Sequence, residues 1–144
     1  MPFSTDANWP QGLLDIFNVC RSQNRPLEFR YYGPYDRLFN YAVIEGSFTF
    51  TLALRTVQDE TSPRDDVDFL AFMVILNRDQ QPVLIAEIKD DKWANEPDKR
   101  QRADAQIRQR YDQMLFHCPI HRLYGLSLLG TSVRVKFIVA IRPR

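Results

Sequence analysis

A single α/β domain, one mixed sheet flanked by helices, is the fold this sequence predicts, and three observations predict it. Two apolar runs, residues 67–76 and 82–85, are separated by the five-residue polar turn Asn77-Arg78-Asp79-Gln80-Gln81, a hairpin length. In the long stretch 99–116, Ala103, Ile107, Tyr111, Met114 and Leu115 share one stripe at roughly 100° per residue, which marks a helix. A second pair of runs, 123–129 and 133–141, flanks Gly130-Thr131-Ser132 as a closing hairpin. With 144 residues, 44% of them hydrophobic, the chain has material for one core and is expected to form one domain over 1–144.

The elements follow in order. Trp9-Pro10-Gln11-Gly12 opens a helix through Leu13, Leu14, Ile16, Phe17 and Cys20, and the polar stretch 21–26 ends it. This helix should cover a sheet face or edge, with Asp15 exposed. Residues 28–35 are aromatic and turn-rich, punctuated by Gly33-Pro34. A short amphipathic helix follows over 35–43. Tyr31, Tyr32, Tyr35 and Tyr41 read as core, with base stacking as the alternative. Residues 47–57 alternate, Phe48, Phe50, Leu52 and Leu54 against Thr49, Thr51, Ala53 and Arg55, as a half-buried strand does.

Beyond it, 58–66 is an acidic, Pro-containing loop with spare carboxylates at Asp65 and Asp66. The strands 67–76 and 82–89 come next. A polar segment over 90–98, anchored by Trp93, leads into the helix 99–116. In the last strand Val133, Val135, Phe137, Val139 and Ile141 share one face, and Arg134 and Lys136 point oppositely. The order is therefore helix, short helix, three strands, long helix, two strands.

Composition narrows the function. A net charge of +1 gives no global pull on nucleic acid, so such binding needs a local patch. No run reaches the roughly 18 apolar residues of a membrane span. The first residues lack the basic-then-apolar pattern of a signal peptide, so a cytoplasmic protein, or one released unconventionally, is expected. Cys20 and Cys118 lie in no metal spacing; they read as two packed thiols or one disulfide. His117, Cys118 and His121 are the only cluster of soft-metal ligands, and they lack the fourth ligand that a structural zinc takes. Five glycines include no phosphate-cradling loop, and no Gly-x-Ser-x-Gly elbow occurs.

The chemistry gathers at Pro82-Val83-Leu84-Ile85-Ala86-Glu87-Ile88-Lys89. Side chains alternate along a strand, so Glu87 and Lys89 project from one face about 7 Å apart. If the preceding run pairs antiparallel, Asp68 comes close to both. Two carboxylates and an ammonium on an apolar sheet are costly to desolvate unless paired or bound to a cation.

Here the sequence resembles the PD-(D/E)XK nuclease superfamily, with Asp68 as the first acid and Glu87-Ile88-Lys89 as the E-x-K element. Tyr32-Gly33-Pro34-Tyr35, Asp66-Val67-Asp68-Phe69, Ala103-Asp104-Ala105-Gln106-Ile107-Arg108 and Leu123-Tyr124-Gly125-Leu126-Ser127 extend the likeness to a group common in fungal proteins. Val67 departs from the motif, which has proline there. The resemblance covers 28–141, leaves 1–27 as an N-terminal helical extension, and implies a restriction-endonuclease-like αβββαββ core.

It also implies magnesium or manganese held by Asp68, Glu87 and the carbonyl of Ile88, with Lys89 positioning the attacking water. Residues of the long helix would hold the substrate. Gln106 and Arg110 lie, with Gln113, on one half-wet flank of its stripe, and Arg108 lies on the other. The expected activity is hydrolysis of phosphodiester bonds in RNA or single-stranded DNA. Two alternatives stand beside it: a small ribosome-inactivating toxin acting on ribosomal RNA, and a catalytically inactive nuclease-fold binding module.

Overall fold

Apolar runs bounded by turns become five strands, and the two amphipathic stretches become helices on opposite faces of them. The computed structural model describes residues 5–23, 28–44, 48–58 and 69–139. Helix α1 spans Gln11–Ser22; a 3-10 turn over Glu28–Tyr31 leads into α2, Tyr32–Phe39, which runs on as a π-helix over Asn40–Ile44. The strands are β1 Thr51–Gln58, β2 Phe69–Leu76, β3 Pro82–Lys89, β4 Arg122–Leu129 and β5 Ser132–Val139. Between β3 and β4 come the short helix α3, Lys92–Asn95, and the long helix α4, Pro97–Met114. Among the described residues no helix is long and apolar enough to cross a membrane.

The sheet is mixed, in the order β1-β2-β3-β4-β5. Only β3 and β4 run parallel, as their helical crossover requires; the other neighbours are antiparallel. The β2–β3 turn is closed by Asn77, whose Oδ1 accepts the amides of Asp79 at 3.0 Å and Gln81 at 2.9 Å. That side chain mimics a backbone turn, and Gln80 takes the left-handed conformation there at φ 60°.

Each sheet face carries its own core. On one side Cys20, Tyr31, Tyr35 and Phe39 pack on Met73, Ile75, Ala86, Ile88 and Leu128. On the other, Ile107 and Tyr111 of α4, with Cys118, pack on Phe72, Val74, Leu76, Ile85 and Leu123. Covering on both faces explains why β2 and β3 read as near-continuous apolar runs rather than alternating ones. α4 approaches closely because Gly125 has no side chain: a Cβ there would meet the Tyr111 phenol and, at 3.2 Å, the Ile107 Cγ1.

Several expectations change. β1 begins at Thr51, so Phe48 precedes the strand and is almost fully exposed. On β5 the two residue sets alternate as read: Arg134 and Lys136 turn toward α4 and pair with Asp104 at 3.1 and 2.7 Å, while Val133 and Val135, on the other face, stay exposed. Tyr31 and Tyr35 are buried core and present no stacking surface. Cys20 and Cys118 are both free and belong to opposite cores. Asp65, Asp66, Asp68, Ile141 and the Arg142-Pro143-Arg144 tail lie outside the described residues.

Candidate active site

β3 ends in charge because its last residues reach the rim of the sheet, yet the rim is covered. Glu87 and Lys89 point to the α4 face, as period two dictates, and are 1% and 2% exposed. A carboxylate so desolvated needs a counter-charge. Arg110 supplies it: Nε lies 2.9 Å from Glu87 Oε1, and both side chains are 2% exposed. The guanidinium also sits 4.7 Å above the Phe72 ring, and its Nη1 donates to Gln113 Oε1 at 3.3 Å. Lys89 places its ammonium 4.9 Å from the centre of the Trp93 ring, on α3. Trp93 is held by its amide, which donates to the Asp90 carbonyl at 3.1 Å.

The pairing registers set the rest. Arg55 of β1 lies opposite Phe72, Phe72 opposite Glu87, Glu87 opposite Ser127, and Ser127 opposite Arg134. One row thus crosses the α4 face with an arginine at each end and Glu87 at its middle. Above it Gln106 and Arg110, one helical turn apart, are buried against the sheet. Gln106 Oε1, Arg110 Nη2 and Ser127 Oγ have no hydrogen-bond partner among the described residues. Each such atom costs on the order of 1–3 kcal/mol if left dry, so each calls for a water, a ligand or a residue beyond those described. Tyr111, under the same helix, has its phenol pushed up to about 12 by burial.

The structure brings together Glu87, Ile88, Lys89, Gln106 and Arg110, and corrects how two of them serve. Gln106 and Arg110 are not half-wet heads on a flank; they face the sheet, because Ala103, Ile107 and Tyr111 pull that side of α4 inward. Arg108 is exposed and does not join the cluster. Asp68 lies outside the described residues. Asp15 is exposed and accepts from Gln11 at 2.8 Å, away from the site. His117 and His121 are exposed, whereas Cys118 is buried in the second core.

Two features escape a linear reading. Ser127 stands beside Glu87 only because β3 and β4 pair in parallel, although it closes the Leu123-Tyr124-Gly125-Leu126-Ser127 block. On the opposite face Arg30 meets Asp90 at 3.2 Å and Asp91 at 2.8 Å, and Tyr31 donates to Asp91. Tyr35 donates to the Gly130 carbonyl at 2.5 Å, and the Gly130 amide donates to the Lys89 carbonyl at 2.8 Å. These contacts hold the backbone just behind Glu87 and Lys89.

Glu87 is itself an oxygen ligand of the kind a hard cation such as magnesium or manganese takes, but the group the structure places against it is the Arg110 guanidinium. Among the described residues no group of three or more His, Cys, Asp or Glu is placed to hold a metal, and Asp68, the other carboxylate the resemblance implies, lies outside them. Since Arg110 engages Glu87 Oε1, the carboxylate would be divided between guanidinium and ion. No family model, curated protein or solved structure matches this chain.

Proposed function

We propose that this chain is a metal-dependent nuclease, hydrolysing phosphodiester bonds of RNA or single-stranded DNA on a restriction-endonuclease-like αβββαββ core. One observation carries the reading. Glu87 and Lys89 lie desolvated on one face of the β3 end, and Gln106 and Arg110 of the helix above, with Ser127 of the neighbouring strand, carry polar atoms that have no partner among the described residues. The order of helices, three strands, helix and two strands around a mixed sheet supports the fold.

Glu87, Asp68 and the Ile88 carbonyl would hold magnesium or manganese, which supplies a Lewis acid and a more acidic water. Lys89, its direction set by Trp93, holds the attacking water and stabilises charge developing on the phosphoryl oxygens. Arg110 and Gln106 donate to the non-bridging oxygens and orient the phosphate. As the water oxygen bonds to phosphorus and gives up a proton to solvent, the bond to the leaving oxygen breaks and solvent protonates that oxygen.

The test is cleavage of labelled single-stranded RNA and DNA with magnesium, with chelator, and by Lys89→Met and Glu87→Gln. Cutting should require the metal and fall about 100-fold or more in each variant. Parent-like cutting by both variants overturns the reading.

The near-complete burial of Glu87, Lys89 and Arg110 favours a second reading, a catalytically inactive binding module in which the Glu87–Arg110 pair is purely structural. Calorimetry separates the two. The enzyme binds magnesium in a way that Glu87→Gln weakens; the inactive module shows no such heat.

A further inference from the structure

We propose that the cleft beside α4 is a subsite for one unstacked base of a single-stranded nucleic acid, next to the bond that Glu87 and Lys89 would cut. The proposal rests on the nuclease reading only for what happens at that neighbouring bond. α4 packs over β3 and β4 and reaches β2 through Ile107 and Tyr111; among the described residues a cleft remains between its C-terminal turn, β1 and the β2–β3 turn. The resulting cleft has a volume of about 540 Å³. Its floor is Phe72 and Val74, its wall is Gln113, Met114 and His117, and Arg55 stands at its mouth.

Size and chemistry choose the occupant. This volume is that of a pocket for one drug-sized ligand, so it takes one splayed nucleotide and excludes a stacked duplex. Phe72 and Val74 close the inner end and are almost fully buried, so Met114 and the exposed His117 imidazole are what the face of a base can meet. Gln113, with Gln80 and Gln81 across the cleft, offers amides that can donate to or accept from a base edge. Arg55 is exposed and suits the phosphate, and Asp79 on the far side disfavours a second one. Against His117 of the wall, the Phe116 ring is 91% exposed and meets the imidazole edge-on, with centroids 5.5 Å apart. It can receive the following base.

The cleft also touches the candidate active site. Phe72 is both its floor and the cross-strand partner of Glu87, and Gln113 accepts from Arg110. Arg55 is two strand spacings from Glu87 along the row, about 10 Å at the backbone. A base seated here keeps its own phosphate at Arg55 and directs the neighbouring phosphodiester toward the Glu87 end of the row.

The test measures fluorescence anisotropy of a short labelled oligonucleotide, as single strand and as blunt duplex, in RNA and DNA forms. It uses the full chain carrying Lys89→Met, without metal. The single strand should bind about tenfold more tightly than the duplex. Adding Arg55→Gln should weaken binding and lower the salt slope by about one, whereas Gln113→Ala should weaken it at unchanged slope. Both positions are exposed, so the fold should survive, and circular dichroism checks that. Equal binding of duplex and single strand, or parent-like binding by both variants, overturns the subsite. Cleavage that dies with Lys89→Met while the cleft variants bind normally sinks the subsite alone. Cleft-dependent strand binding in a chain that never cuts sinks the nuclease reading and leaves the subsite.

Discussion

Residues 87–91 send side chains to both faces of the sheet, and the two polar clusters they enter are built differently. On the α4 face, Glu87 and Lys89 meet Arg110, Gln106 and Ser127, and the last three keep hydrogen-bonding capacity that the described residues do not use. On the α1–α2 face, Asp90 and Asp91 close on Arg30, and Tyr31 and Tyr35 tie Asp91 and the Gly130 turn to the same point. Both clusters keep polar atoms with no hydrogen-bond partner among the described residues, Arg30 Nε and Asp90 Oδ2 in the second; what sets the second apart is that it ties Asp91 and the Gly130 turn together as a clamp. One strand end, by alternation, sends the proposed site to one side and the clamp to the other.

The largest effect should come from separating those roles. Lys89→Met should lower single-turnover cleavage by about 100-fold or more. Arg30→Met should leave the rate per folded molecule within a few-fold. An equal loss in both would erase the distinction between site and clamp.

Next in size is the buried pair itself. Arg110→Ala strands the Glu87 charge and should cost about 3–5 kcal/mol in urea unfolding. Combining Arg110→Met with Glu87→Gln removes both charges and should recover most of that loss. Strictly additive costs would mean that the two residues do not act as a pair.

A smaller effect probes the clamp. Gly130 sits at φ +61°, and an added Cβ would meet the Asp91 Cα at 2.8 Å. Gly130→Ala should cost about 1–2 kcal/mol from the left-handed backbone, with the contact adding to it. At Gly12 a Cβ meets nothing within 4 Å, so Gly12→Ala should stabilise α1 by up to about 1 kcal/mol. Melting temperatures moving in the same direction for both would contradict this assignment.

The smallest effect appears in alkali. Burial raises the phenols of Tyr31 and Tyr35 on one face and of Tyr111, to about 12, on the other. The unfolded chain releases such protons near pH 10, and the folded chain holds them longer. Stability is then fully present below about pH 10 and declines as pH rises toward about 12. Tyr111→Phe should flatten the α4-face share of that decline. A urea midpoint equally steep in pH with and without Tyr111 would remove its part.

Much of the frame was legible because it is local. β3 occupies Pro82–Lys89, the run marked by its apolar residues and the preceding Asn77 turn, and α4 follows the stripe of Ala103, Ile107 and Tyr111. The site was legible where period two governs it, at Glu87 and Lys89. It was misread at Arg110 and Gln106, whose polar character suggested a wet flank. A guanidinium is buried when a carboxylate across the interface compensates it, and nothing near Arg110 in the chain announces Glu87. On β5 the alternation of Val133 and Val135 against Arg134 and Lys136 was legible, but that the charged set faces α4, where Asp104 pairs with it, was not.

The amino-acid sequence by itself determined the elements, their order and the placing of Glu87 and Lys89 on one strand face, because alternation and helical periodicity act within a few residues. Tertiary structure alone decided that β3 pairs in parallel with β4, that Ser127 stands beside Glu87, and that Arg30 clamps Asp90 and Asp91. Those outcomes depend on desolvation, which makes a buried charge seek its partner wherever the fold delivers one, without regard to distance along the chain.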